Sequence, residues 1–172
     1  LTDIGDGSQL SLDPELDTYH LTMLTVALGP QYAGYLTGLR DLAALTLKGG
    51  AGTAIPLVRR RAMERHVTLI GYVDPAYENS YGKGVEAFPA LAATMDMKGV
   101  DSTRETFVAL LEKQILLDAP SATLAQLHSV ADAAIEKQLT LSQQVANRLD
   151  QQLAARTVRV TREIQAGFAV VG

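Results

Sequence analysis

The residue types best able to bind or react sit in three places. Near the N-terminus, Asp13, Asp17, Tyr19 and His20 crowd into two helical turns, and such a group could take a ligand through its carboxylates, phenol and ring. Each also has an ordinary use at a helix start: Asp13 as N-cap, Asp17 solvated or paired locally, Tyr19 packed. Further on, Arg59-Arg60-Arg61 with Arg65 is the densest basic run. Arg61 and Arg65 lie four apart on one helix face, where a guanidinium pair could clamp a carboxylate; the competing reading is a solvated face. Arg40, beside Asp41, could join either arrangement.

Catalytic and metal chemistry find no foothold. His20, His66 and His128 are far apart, and no pair has metal-ligand spacing. There is no nucleophile elbow, phosphate loop or dinucleotide fingerprint; Gly49-Gly50-Ala51-Gly52 lacks the Lys and Ser/Thr of a phosphate loop. No Cys is present, so there is neither disulfide nor thiolate. The expectation is a protein without cofactor or metal that is not an enzyme. A net charge of −4 gives no general attraction to nucleic acid.

The elements that must position these residues read as helices. Apolar residues make up 47%, aromatic ones only 5%, and Ala and Leu fill the apolar positions, a vocabulary suited to helix–helix packing. A first helix is expected from Asp13-Pro14-Glu15, with Leu16, Tyr19, Met23, Val26, Tyr32, Leu36 and Leu39 at spacings of three and four. Gly29-Pro30 should kink it, and Gly49–Gly52 should stop it. A second helix is expected from about Thr53 to Tyr81, bent at Asp74-Pro75 and broken within Asn79–Gly84, followed by a shorter one from Val85 to Met97. Ser102-Thr103-Arg104-Glu105 reads as a capping box opening a helix through Leu117. From Ser121 to Ala166 there is neither Gly nor Pro. Its stripe of Leu124, Leu127, Ala131, Ala134, Leu141, Val145, Leu149 and Leu153 predicts one helix of about 69 Å.

Arg156, Arg159, Arg162 and Glu163 precede an uncharged end, Ile164 to Gly172. Nine residues are too few for a bilayer, which needs about 20, so this end reads either as the first turns of a membrane helix or as a tail packed on its own core. The chain opens Leu1-Thr2-Asp3, without initiator Met or signal-type apolar stretch, and reads as a piece of a longer protein.

The segment from Gly5 to Leu21 resembles a motif of the form S-N-L-x-L-D-P-D-L-D-S-Y-Y-L-M, found in periplasmic regions of certain methyl-accepting chemotaxis receptors and sensor histidine kinases. Ser8, Leu10, Leu12, Asp13, Pro14, Leu16, Asp17, Tyr19 and Leu21 match in register; Gln9, His20 and Thr22 depart from it. The resemblance is specific over about 20 residues and elsewhere is one of helical texture. It implies an all-α, elongated antiparallel bundle of four-helix or bimodular type, preceded by a further helix not contained here. Residues 1–163 would then be an extracytoplasmic sensor domain, and 164–172 the start of a second transmembrane helix. The implied setting is the inner membrane with this region in the periplasm. The implied partners are a small-molecule ligand or a periplasmic binding protein, and a cytoplasmic output module driven by a helix shift. Asp13, Asp17, Tyr19, His20, Arg40, Arg61 and Arg65 are the candidate ligand-binding residues. Three long helices would leave one stripe uncovered, so a homodimer contact along Leu124–Leu153 is expected. The alternative is a helical adaptor or coiled-coil module that binds another protein.

Overall fold

A computed structural model describes residues 16–49 and 54–171, and within these there are helices and connections but no strand. Helix α1 comprises Leu16–Thr22, a π-helical stretch Met23–Leu28, and Gly29–Leu47. Helix α2 is Leu57–Ala87 and α3 the short Ala90–Thr94; α4 is Met97–Leu110 extended by π-helical Leu111–Ile115; α5 is Leu124–Val171. The four long helices run antiparallel in sequence. Leu21 packs against Gly84, Arg59 reaches the Leu45 carbonyl, and Arg40 pairs with Asp132, while Lys137 pairs with Asp96. The all-α bundle expected from the sequence is therefore the architecture, and the last helix is 48 residues long.

The helix boundaries follow local chemistry more than the sequence reading allowed. Pro30 has no N–H to return to the Val26 carbonyl. The chain instead widens into a π turn in which the Gly29 N–H reaches the Leu24 carbonyl, and the helix continues without ending. A side chain at Gly29 would meet that carbonyl at 2.5 Å and Ser142 Oγ at 2.8 Å, so glycine lets α5 approach α1 here.

Pro75 likewise lies inside α2, which runs unbroken to Ala87. The break expected at Asn79–Gly84 is absent, and the helix stops only at Phe88-Pro89, where a following proline disfavours helical backbone. The helix expected over Val85–Met97 is reduced to α3. Nor does Ser102–Glu105 open a helix: α4 starts five residues earlier, capped by Asp96, whose Oδ1 accepts from the Gly99 N–H at 2.9 Å. The cap of α5 is a reciprocal box in which Thr123 Oγ1 accepts from the Gln126 N–H and Gln126 Oε1 accepts from the Thr123 N–H. The expected Asp13 cap lies outside the described residues.

The core is one apolar column. Leu36, Leu39, Met63, Ile115 and Leu127 fill one half, and Leu21, Leu24, Leu91 and Leu149 the other, all buried. On α5, Leu127, Ala131, Ala134, Leu141, Val145 and Leu149 are buried within the single chain. The stripe expected to meet a second copy is thus covered from Leu127 to Leu149 by the chain's own helices. Beyond Leu149 the situation reverses. Only Gln152 and Arg156 are even partly covered as far as Ala166, and Leu153, Val158, Val160 and Ile164 are exposed. This exposed overhang reaches Ala166, about 25 Å at 1.5 Å per residue. Among the described residues no helix is long and apolar enough to cross a membrane.

Pro75 and Gly71 both face solvent, so water can take the carbonyl that Pro75 leaves without an intrahelical partner. Restoring the bond should stabilise the helix: Pro75→Ala is expected to raise folding stability by about 1–3 kcal/mol in urea titrations. A loss of stability would show that the proline is needed for packing.

Candidate functional site

Those of the sequence-predicted site residues that are described do not converge. Tyr19 is exposed, its ring edge-on to His20 at 5.2 Å, and His20 is buried; the side chain of Asp17 and all of Asp13 lie outside the described residues. Arg40 sits about 30 Å further along α1. There it bonds Asp41 at 2.9 Å and Asp132 at 3.1 Å, which ties α1 to α5 and raises its pKa, the Asp41 hydrogen bond contributing most.

Arg61 and Arg65 do share a face, as their spacing requires. They line a shallow groove of about 450 Å³ on the outer side of α2 with Val58, Ala62, His66 and Leu69, and both are exposed. Arg60, between them and Arg59, turns inward across the bundle end and donates to the Leu116 and Leu117 carbonyls at 2.9 and 3.1 Å. One arginine of the run is thus a structural clasp.

The polar chemistry that is brought together lies elsewhere, halfway along the bundle, and takes a residue from every long helix. Arg104 on α4 is buried, with its side chain 10% exposed. Its Nη1 donates to Tyr32 Oη on α1 at 2.8 Å and forms a close ion pair with Asp74 Oδ1 on α2. Tyr32 in turn donates to Asp74 Oδ1 at 2.8 Å. One turn back on α4, Asp101 Oδ1 lies 3.2 Å from the same Nη1 but outside hydrogen-bond geometry, an ion contact alone. The Tyr32 and Tyr77 rings touch at 5.5 Å and join this charged half to a neutral half. There Gln138 on α5, fully buried, donates from Nε2 to Tyr77 Oη at 3.1 Å and to Ser142 Oγ at 3.4 Å.

The electrostatics follow from burial. Desolvation pushes the Tyr32 phenol well above its ordinary range and raises that of Tyr77, so both stay neutral hydrogen-bonding groups. Loss of water also raises the Asp101 carboxyl, and the Arg104 contact only partly offsets it. A carboxyl whose pKa is higher folded than unfolded favours the folded state below its ordinary range. That contribution is lost as pH rises through the folded value. Burial lowers the Arg104 pKa, but Tyr32 and the two carboxylates outweigh it and raise it overall. At the solvent-exposed rim Asp96 is the opposite case: Lys137, 2.7 Å away, and the Gly99 N–H hold its pKa down.

None of these layer residues was recognised as a site from the sequence, although two signals were legible. The α5 stripe skips a place between Ala134 and Leu141, and Gln138 fills it. On α4, Val100, Arg104, Phe107 and Leu111 recur at spacings of four and three, which puts a guanidinium on the core face. No group of three or more His, Cys, Asp or Glu among the described residues could hold a metal.

Removing the guanidinium would leave two carboxylates facing a desolvated space. Arg104→Met is therefore expected to cost about 3–5 kcal/mol, the usual loss when one partner of a buried pair is deleted. A chemical-denaturation shift under 1 kcal/mol would show that the layer is solvated. No family model, curated protein or solved structure matches the chain.

Proposed function

We propose that this chain is the extracytoplasmic sensing bundle of a bacterial transmembrane signalling receptor and passes a shift of α5 to a cytoplasmic output module. The observation that carries this reading is the course of α5. It packs against α1 and α4 as far as Leu149, takes part in the mid-bundle polar layer through Gln138, and then, Gln152 and Arg156 apart, runs on exposed to Ala166, about 25 Å. The described start of α1 lies at the same end, since Leu21 and Leu91 both pack at Gly84 and Leu91 lines a groove with Arg148 and Gln151. A rod that begins inside a sensing core and leaves it at the end where the chain enters suits transmission along the helix axis.

On this reading the protein is not a catalyst. It sits in the inner membrane with the bundle in the periplasm, and its partners are a small ligand or a periplasmic binding protein and a second copy of itself. The second copy meets the overhang, where Leu153, Val160 and Ile164 follow one another along a face at near-heptad spacing. The same exposed side chains would also suit the rival reading, an adaptor whose long helix binds a different helical protein.

Because the chain has no cysteine, an introduced one is a clean probe of this region. In cells carrying the intact receptor, Cys replacing the exposed Glu78 should react with a membrane-impermeant maleimide after only the outer membrane is opened. Val160→Cys should cross-link two copies on mild oxidation. Labelling only after the inner membrane is breached would contradict the sensing reading and favour the adaptor.

A further inference from the structure

Of the four arginines near the start of α2, two are engaged and two are not. Arg59 donates to the Leu45 carbonyl at 3.1 Å, and Arg60 to the carbonyls of Leu116 and Leu117. Arg61 and Arg65 are exposed, and neither makes a hydrogen bond or ion pair with another described residue. Glu64, the acid beside them in sequence, pairs with neither. Helix stability does not account for the pair, because like charges four apart on a helix repel each other. In a chain of net charge −4 they form a local concentration of the opposite sign.

The two side chains line one groove of about 450 Å³, which brings them to a common space. Residues four apart on a helix have Cβ atoms about 5–6 Å from each other, so both guanidinia can reach the two oxygens of a single anion. Helical spacing places Arg61 and Arg65 along one edge. Val58, Ala62 and Leu69 form the floor between that edge and the His66 ring. The ring is a fixed wall: Nδ1 bonds the Ala62 carbonyl at 2.9 Å, and the ring stands edge-on to Tyr35 at 6.3 Å. On its other side it lies against α1, where a Cβ at Gly38 would meet Nε2 at 2.8 Å. No carboxylate is among the lining residues.

We propose that this groove on the outer face of α2 binds a small organic carboxylate, its oxygens shared between Arg61 and Arg65 and its apolar body lying on Ala62 and Leu69. Charge selects the head group, since an alkali cation or an amine is repelled by both guanidinia and a neutral molecule leaves them unpaired. The floor selects the body, since inorganic phosphate meets the charge but leaves Val58, Ala62 and Leu69 in water. A ligand seated there presses on His66 and through it on α1 at Gly38. The idea deepens the sensing proposal by naming a ligand class and rests on that reading for its biological meaning. Binding is measured on the isolated chain, so its failure would leave the membrane-topology test untouched.

The experiment is an amide NMR titration of the purified chain with sodium benzoate. Sodium phosphate serves as the anion without an apolar body and benzamide as the same shape without charge, all at equal ionic strength. Saturable shifts centred on Val58 to Leu69 are expected with benzoate, a Kd about tenfold higher with phosphate, and no saturable shift with benzamide. Arg61→Gln and Arg65→Gln should each raise the benzoate Kd about tenfold or more, the loss of one charge-assisted partner. Both positions are exposed, and an unchanged circular dichroism spectrum checks that the variants fold. Arg162→Gln, on the exposed end of α5, should leave the Kd unchanged. Benzoate shifts that fail to saturate, that follow every arginine alike, or that survive Arg65→Gln would overturn the proposal. Phosphate binding as tight as benzoate would overturn the assignment of an organic ligand.

Discussion

Arg104 imposes the constraint on which the bundle depends. A guanidinium with its side chain 10% exposed must have its charge met within hydrogen-bond reach, because an unpaired ion in that setting costs several kcal/mol. Its Nη1 serves Tyr32 on α1 and Asp74 on α2 at once. Those contacts fix the axial positions of three helices relative to one another. Apolar packing alone would tolerate a slip of one turn more readily, since Leu and Ala recur on the inward faces of α1 and α5. The ion pair would not, because sliding α4 by one turn carries Arg104 away from both partners. The neutral half of the layer does the same for α5, where Gln138 and Tyr77 hold a register that the small residues Ala131 and Ala134 leave undetermined.

Two of the irregularities lie close to this level, while the π-helical end of α4, Leu111–Ile115, begins two turns beyond Arg104. The π turn of α1 ends at Gly29, against Ser142 on α5, and Tyr32 stands one turn beyond it. Pro75 directly follows Asp74 on α2. Two helices therefore depart from regular α-helical bonding within a turn of the residues they contribute to the layer. A helix already missing a bond can adjust its pitch there at smaller cost than elsewhere. By contrast, α5 carries no proline or π turn among its described residues and behaves as the rigid member, suited to carry a displacement of the layer toward Leu149 and beyond.

How much of this the sequence disclosed depended on whether the signal was local. The helical class, the stop at Gly49 and the single long final helix all rest on propensity and on the placing of Gly and Pro, and all are present. Boundaries set by competition were misread. Asn79–Gly84 looks like a break one residue at a time, but tertiary contacts at Tyr77, Ser80 and Gly84 hold the helix through it. Ser102–Glu105 satisfies the pattern of a cap, yet Asp96 captures that role and leaves Arg104 facing inward. The polar layer was hidden for a different reason. Its members are 42, 30 and 61 residues apart in the Tyr32–Asp74, Asp74–Arg104 and Tyr77–Gln138 contacts, and only the assembled bundle makes them neighbours. A charged or amide side chain on an otherwise apolar helical face was the trace available, at Arg104 and Gln138.

The central claim is that α5 is one continuous helix with two mechanical regimes, locked by the mid-bundle layer as far as Leu149 and largely solvent-exposed from Leu153 to Ala166. Native-state hydrogen exchange along α5, followed residue by residue in dilute solution, tests this most directly. The account predicts that amides from Leu127 to Leu149 open only with global unfolding, with the strongest protection around Gln138, whereas those from Ala154 to Ala166 exchange by local fraying. Weak protection at Gln138, or protection at Val160 equal to that at Leu141, would contradict it.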